Sequence, residues 1–255
     1  LGLKKIVELS KRLGIYENPN ELLSISLGSA ETTLLKLTSA YCSFVNGGKL
    51  VNPKLIDRIQ DSEGNTIFKT EDRYCENCKN ISFLSNDIPK IKDNFKQIFS
   101  PQTAYQITSI LEGATKRGTA KNLKDLNLDI AGKTGTTNKN TDTWFIGFTS
   151  NLVVGVYIGH DDPKTLGKFE TGAKTAMPIF KSFIKKAIKK ENTRPFKIPE
   201  NITLMVVDSQ TGKKVSFTSN KTLIESFKSE KITKKFNVNL KNNNRFNNNN
   251  ILKFY

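Results

Sequence analysis

Apolar residues Leu3, Ile6, Val7 and Leu13, with Ser10 among them, fall three and four positions apart, which places them on one face of a helix that Gly14 ends. A polar turn through Asn18, Pro19 and Asn20 follows. Leu34, Leu37, Tyr41, Phe44 and Val45 predict a second helix over roughly 33–46. Gly47 and Gly48 stop it, because a left-handed C-terminal cap favours glycine. Residues 55–60 and 66–69 read as strands paired across Asp61-Ser62-Glu63-Gly64-Asn65, a hairpin signal. The stretch 70–96 is polar and weakly patterned and is expected to be a surface excursion.

Ser100 followed by Pro101 predicts a helix start, with a capping hydroxyl and then the helical position proline tolerates. Ile107, Ile110, Leu111 and Ala114 repeat at helical spacing and are expected to face a sheet, and Gly118 closes the element. Three strand-like runs follow at 128–134, 143–149 and 152–159, joined by Asn138-Lys139-Asn140 and Ser150-Asn151. Links this short imply antiparallel neighbours. A further helix begins near Met177-Pro178, with Ile179, Phe180, Phe183, Ile184, Ala187 and Ile188 as its expected buried side and lysine on the other. Past Arg194-Pro195 come a short strand over 203–207, a turn at Ser209-Gln210-Thr211-Gly212 and an asparagine-rich run. The pattern divides the chain into a main body, 1–190, a small appendage, 191–240, and a tail, 241–255. Seven of the nine residues from Asn242 to Asn250 are asparagine, which leaves nothing to bury and predicts disorder.

Composition narrows the function classes. The chain has 255 residues, 36% of them hydrophobic, enough for a sizeable core. Its formal charge of +16 is spread along the sequence: from Glu191 onward 12 Lys and Arg stand against 5 Asp and Glu, and the rest of the excess lies upstream. With no basic recognition helix and no aromatic-interleaved basic run, nucleic acid is not the expected partner, and the lysines read as a solvated surface. No leader and no apolar run of about 18 residues occurs. The chain opens at Leu1 already inside a helical pattern, so it is expected to be the C-terminal part of something longer. Cys42 lies in an apolar helical run and is expected to be a small core residue. Cys75 and Cys78 form one C-x-x-C in a polar stretch. Zinc would need two further ligands that a chain with one histidine and no third nearby cysteine does not offer, so either a local disulfide or two free thiols is expected.

The chemistry-bearing segment is Lys133-Thr134-Gly135-Thr136-Thr137, at the end of a strand-like approach from Leu128. A lysine, hydroxyls and a glycine on an exposed strand hold a carboxylate, offer backbone groups to an extended peptide and allow close approach. The tripeptide alone is weakly specific, but its surroundings are not. Ser26-Leu27-Gly28-Ser29-Ala30-Glu31-Thr32-Thr33-Leu34, Ala40 to Gly48, Ala114-Thr115-Lys116-Arg117-Gly118-Thr119-Ala120, Asp142-Thr143-Trp144-Phe145-Ile146-Gly147-Phe148, Gly155 to Asp162, Glu170-Thr171-Gly172 and Ala176-Met177-Pro178-Ile179 occur in order. Over about 2–227 this series resembles the class A penicillin-binding proteins.

The resemblance implies an α+β fold, a mostly antiparallel sheet of five strands flanked by helices, with an all-helical lobe, incomplete here at the N-terminus. It implies a serine acyltransferase that cross-links peptidoglycan stem peptides, is stalled by β-lactams and uses no cofactor or metal. The motif set S-x-x-K, S-x-N and K-T-G belongs to that group of enzymes. By position Lys133 becomes the cation easing proton movement, Thr134 and Thr136 the ligands of the substrate carboxylate, and Gly135 the clearance for substrate. The Thr136 N–H becomes one oxyanion donor, and Thr137 a secondary contact. His160, the one histidine, stands where the family has an aromatic residue and is not assigned to catalysis.

One departure is large. Nothing upstream of Lys133 fits S-x-x-K or S-x-N. Ser182-Phe183-Ile184-Lys185 has the first spacing but follows the motif strand on a lysine-rich helix, and Ser85-Asn86-Asp87 only permutes S-D-N in the polar excursion. Both are set aside. The expectation is that the two missing motifs, a glycosyltransferase domain and an N-terminal anchor in the cytoplasmic membrane precede Leu1, with the catalytic domain facing the periplasm or cell exterior. A β-lactamase or carboxypeptidase of the same fold, and a non-catalytic binder of cell-wall peptides, are the alternatives.

Overall fold

The structure, a computed structural model, describes residues 2–70, 74–75, 91–92, 94–189, 193–216 and 221–229. The chain divides into two compact units, 1–197 and 198–255.

The first unit opens with α1 (Leu3–Arg12), which turns Val7 and Ser10 inward as their spacing requires. A 3-10 turn, Leu23–Leu27, precedes α2 (Leu34–Val45). The Thr33 side chain caps α2 by accepting from the Lys36 N–H. Gly48, at φ 91°, follows the helix, and its carbonyl accepts from the N–H groups of Ile98 and Phe99 at 2.8 and 3.1 Å. Leu13, Ala40 and Ile98 form a small core there. The expected hairpin is present as β1 (Arg58–Gln60), which starts three residues later than expected, and β2 (Thr66–Lys69), antiparallel and exposed along both strands. Within the polar excursion, β3 (Tyr74–Cys75) pairs with β4 (Ile91–Lys92). Cys75 is disulfide-bonded and Cys42 is a free thiol, while Cys78 lies outside the described residues. The expected tail, 241–255, also lies outside them.

Ser100 caps α3 (Pro101–Lys116) by accepting from the Thr103 N–H, with Pro101 in the first turn. A 3-10 turn, Lys121–Leu126, leads to the central sheet of β5 (Ala131–Thr136), β6 (Asp142–Phe148) and β7 (Val153–Gly159), antiparallel in the order β5-β6-β7. Three strands of the five implied are found in this sheet among the described residues. Phe145 packs against Phe180 of α4 (Ala176–Ala187) with their rings tilted by 59°, whereas Phe148 meets Tyr41 of α2 edge-on. Side chains an odd number of positions apart on a strand point to opposite faces, so α4 covers one face and α2 the other. The main core lies under α4 and contains Leu123, Ile130, Phe145, Met177, Phe180 and Ile184.

Three expectations are corrected. The first sheet strand starts at Ala131 rather than Leu128 and runs on to Thr136. Asn127 is left-handed at φ 53°, and the Ile130 carbonyl is taken by the Thr115 hydroxyl of α3. On α3 the buried residues are Ala104, Thr108, Gly113 and Thr115, and Ile110 is 61% exposed. Small residues let α3 approach α2 and β5 closely, and the Thr108 and Thr115 hydroxyls are satisfied by backbone carbonyls, so neither needs water. On α4, Ile179 and Phe183 are about half exposed, and the buried stripe is Ala176, Met177, Phe180 and Ile184.

The second unit pairs β8 (Ile202–Asp208) with β9 (Thr222–Lys228), antiparallel. Asp208 accepts from the Gln210 and Thr211 N–H groups and from the Thr211 hydroxyl, which shapes the predicted turn. Those bonds hold the Asp208 carboxyl below its ordinary range.

Candidate active site

Lys133-Thr134-Gly135-Thr136 forms most of β5, at the edge of its sheet among the described residues. Thr137 N–H donates across the ladder to Asp142 O at 3.2 Å. Backbone groups alternate in direction along an antiparallel strand, so Lys133 and Gly135 also face β6, while Thr134 and Thr136 present N–H and C=O to the outer edge. The Lys133 ammonium bonds the Thr134 carbonyl at 2.8 Å, as that direction requires.

Side chains alternate as well. Lys133 lies opposite Ile146 and emerges exposed on the face that α2 covers; Thr134 and Thr136, opposite Phe145 and Thr143, emerge on the α4 face. The edge is thus flanked by a cation on one side and two hydroxyls on the other. Gly135 stands opposite Trp144, and a Cβ there would lie 3.1 Å from Trp144 Cβ. The glycine therefore sets how closely the backbone passes the indole, which itself packs on Tyr157.

The surroundings hold these groups in place. Thr115 anchors Ile130, the residue before β5, and Thr119 Oγ1 lies 3.3 Å from Thr134 Oγ1. Thr136 Oγ1 accepts from the Gly172 N–H at 3.1 Å. The Thr137 hydroxyl accepts from the Asp142 N–H at 3.0 Å and lies 2.9 Å from the Thr141 hydroxyl, so it is engaged within the β5–β6 turn. His160 follows β7 on the exposed surface, and Ser182 is an exposed residue of α4. Nothing in the sequence pattern marks Thr119 or Gly172 as a site residue. Both sit in segments that carry the family resemblance, but their relation to β5 exists only once α3 and α4 have packed. Among the described residues no group of three His, Cys, Asp or Glu could hold a metal ion, and no helix is long and apolar enough to cross a membrane.

Comparison with known proteins agrees with this geometry. The model of the penicillin binding protein transpeptidase domain matches residues 6–185. Penicillin-binding protein 1A of Rickettsia bellii is 44% identical over 231 residues, and that of Rickettsia prowazekii 46% identical over 231; each alignment covers 89% of this chain and 29% of the relative. The chain therefore spans less than a third of the length of these relatives. The crystal structure of penicillin-binding protein 1A from Haemophilus influenzae superposes with a TM-score of 0.73 at 30% identity, covering 89% of this chain and 37% of that one. The PonA1 protein from Mycobacterium tuberculosis in complex with penicillin V superposes at 0.58 over 78% of this chain and 53% of that one; at 19% identity it supports the fold alone. An edge strand carrying Lys-Thr-Gly-Thr, helices on both faces of an antiparallel sheet and a family match across most of that unit converge: this chain belongs to the penicillin-binding protein transpeptidase family.

Proposed function

We propose that the chain supplies the strand-edge half of a D,D-transpeptidase site that cross-links peptidoglycan stem peptides, within a longer membrane-anchored protein that also carries a glycosyltransferase domain. A serine outside this chain attacks the carbonyl between two terminal D-alanines, the last D-alanine leaves, and an amine of a neighbouring stem peptide resolves the acyl-enzyme. β-Lactams enter by the same attack and stop at the acyl stage.

The open edge of β5 carries this reading. An extended peptide lying along it meets the outward backbone groups of Thr134 and Thr136, an arrangement suited to strand addition. The Thr134 and Thr136 hydroxyls bind its C-terminal carboxylate, and the Lys133 ammonium supports that charge and eases proton movement. The Thr136 N–H donates to the developing oxyanion, the nucleophile's own N–H being the second donor. Thr137 we assign to shaping the turn, since its hydroxyl is already engaged there. Cys75 we pair with Cys78 in a local bridge, which suits a domain facing the periplasm or cell exterior.

The acylation rate of the full-length protein by a fluorescent penicillin tests the assignment. Lys133→Ala should lower the second-order rate about 100-fold or more, the scale on which preorganised electrostatic groups act. An unchanged rate removes Lys133 from the site. A second reading, a non-catalytic peptide binder, is favoured for the isolated chain by one observation: residues 1–132 contain no S-x-x-K.

A further inference from the structure

We propose that Gly172 is a positioning residue of this site: its N–H holds the Thr136 hydroxyl oxygen so that the hydroxyl proton is presented to the substrate carboxylate. The proposal rests on the carboxylate-binding reading given above and adds the residue that sets the polarity of the threonine.

The turn before α4 is bonded to both strands at one cross-strand pair. Gly172 N–H donates to Thr136 Oγ1 on β5 at 3.1 Å. Three residues on, Thr175 Oγ1 lies 2.7 Å from Thr143 Oγ1 on β6, and Thr143 is the ladder partner of Thr136 and fully buried. The turn is closed by its own bonds, from Lys174 N–H and Thr175 N–H to Thr171 O at 2.9 Å and from Met177 N–H to Gly172 O at 2.8 Å. Beyond it α4 is fixed by Phe180 and Ile184 in the core. Gly172 is buried against the strand backbone: a Cβ there would press into Trp144 O, and would lie 2.6 Å from Gly135 O and 3.2 Å from Gly135 N. Its backbone is not left-handed, so space rather than conformation calls for glycine.

A hydroxyl has one donor and two acceptor positions, and a carboxylate only accepts. With an acceptor position of Thr136 filled by the Gly172 N–H, the proton is left for a ligand. Thr134 has no such fixed polarity, because its contact with the Thr119 hydroxyl can run in either direction. Thr136 is therefore the better ordered donor.

Amide hydrogen exchange and ligand titration of the isotope-labelled chain test this, with the Phe145 amide reporting that the sheet is intact. Thr136→Val should speed exchange of the Gly172 amide at least tenfold, and Thr136→Ser should restore wild-type protection. Equal protection in Thr136→Val and wild type overturns the proposal. In the second arm, N-acetyl-D-alanyl-D-alanine should shift the Lys133 to Thr136 and Gly172 resonances of the wild type and of Thr136→Ser. Its C-terminal amide should not. Gly172→Ala and Thr136→Val should each weaken the carboxylate response about tenfold. Undiminished binding in both variants means that β5 takes the carboxylate without Gly172 and overturns the proposal alone. No carboxylate-dependent shift in the wild type removes the underlying reading, and the positioning role with it.

Discussion

Gly147, in β6 beside the motif strand, lies where an added Cβ would sit 2.6 Å from Phe180 Cζ and 2.7 Å from Phe145 Cε1. Both rings are fully buried, so neither has room to move. Gly147→Ala should cost about 2 kcal/mol, the usual scale of overpacking, seen as a lower urea midpoint at an unchanged slope. Cys42 gives a second residue-scale test. Burial raises its thiol pKa in the fold, and burial raises that of the neighbouring Tyr41 phenol too. The unfolded chain therefore loses these protons first as pH rises. Stability should be constant at neutral pH and fall from about pH 8.5 upward, with a further fall in the tyrosine range near pH 10. Cys42→Ala should remove the lower onset in thermal melts taken across that range and leave the tyrosine one. A melt profile identical to wild type would take Cys42 out of the account.

The elements differ in how legible they were. Both helix caps that rest on a hydroxyl, Thr33 and Ser100, lie where the sequence places helix starts, and the β6–β7 turn at Ser150-Asn151 is local chemistry that needs no partner. The buried stripes of α3 and α4 were less legible, because several faces of a helix satisfy three-and-four spacing and only the partner decides among them. On α3 a row of Ala104, Thr108 and Thr115 is buried although Ile107, Ile110 and Leu111 are more apolar. A hydrophobicity argument has no means of preferring threonines whose hydroxyls will find carbonyls 15 and 64 residues away. On α4 the same ambiguity yields a clean comparison. Phe180→Ala should cost about 3–5 kcal/mol, since its ring packs on Phe145 in the core. Phe183→Ala, at a half-exposed ring one turn away, should cost only about 1 kcal/mol, the share of its apolar surface that is buried. Equal losses would mean that the buried face of α4 has been assigned wrongly.

For the whole molecule, family membership is legible because many short segments occur in order, and the motif does lie on a strand, although only its Lys133 and Thr136 are exposed. That strand's status as a sheet edge is not legible, since pairing partners lie outside the pattern of any one segment. Nor are the supports from Thr119 and Gly172, which reach β5 across 15 and 36 residues of sequence. The proposal at this scale is that the chain carries the substrate-binding edge of an acyl-transfer site, with the nucleophile supplied from outside these 255 residues. Covalent labelling by a fluorescent penicillin, read after denaturation, tests it most directly when the 255-residue chain is compared with the protein translated from the first in-frame start codon upstream. The account predicts no covalent label on the chain alone and stable label on the extended protein, most of it lost in Lys133→Ala. Covalent label on the isolated chain would contradict it.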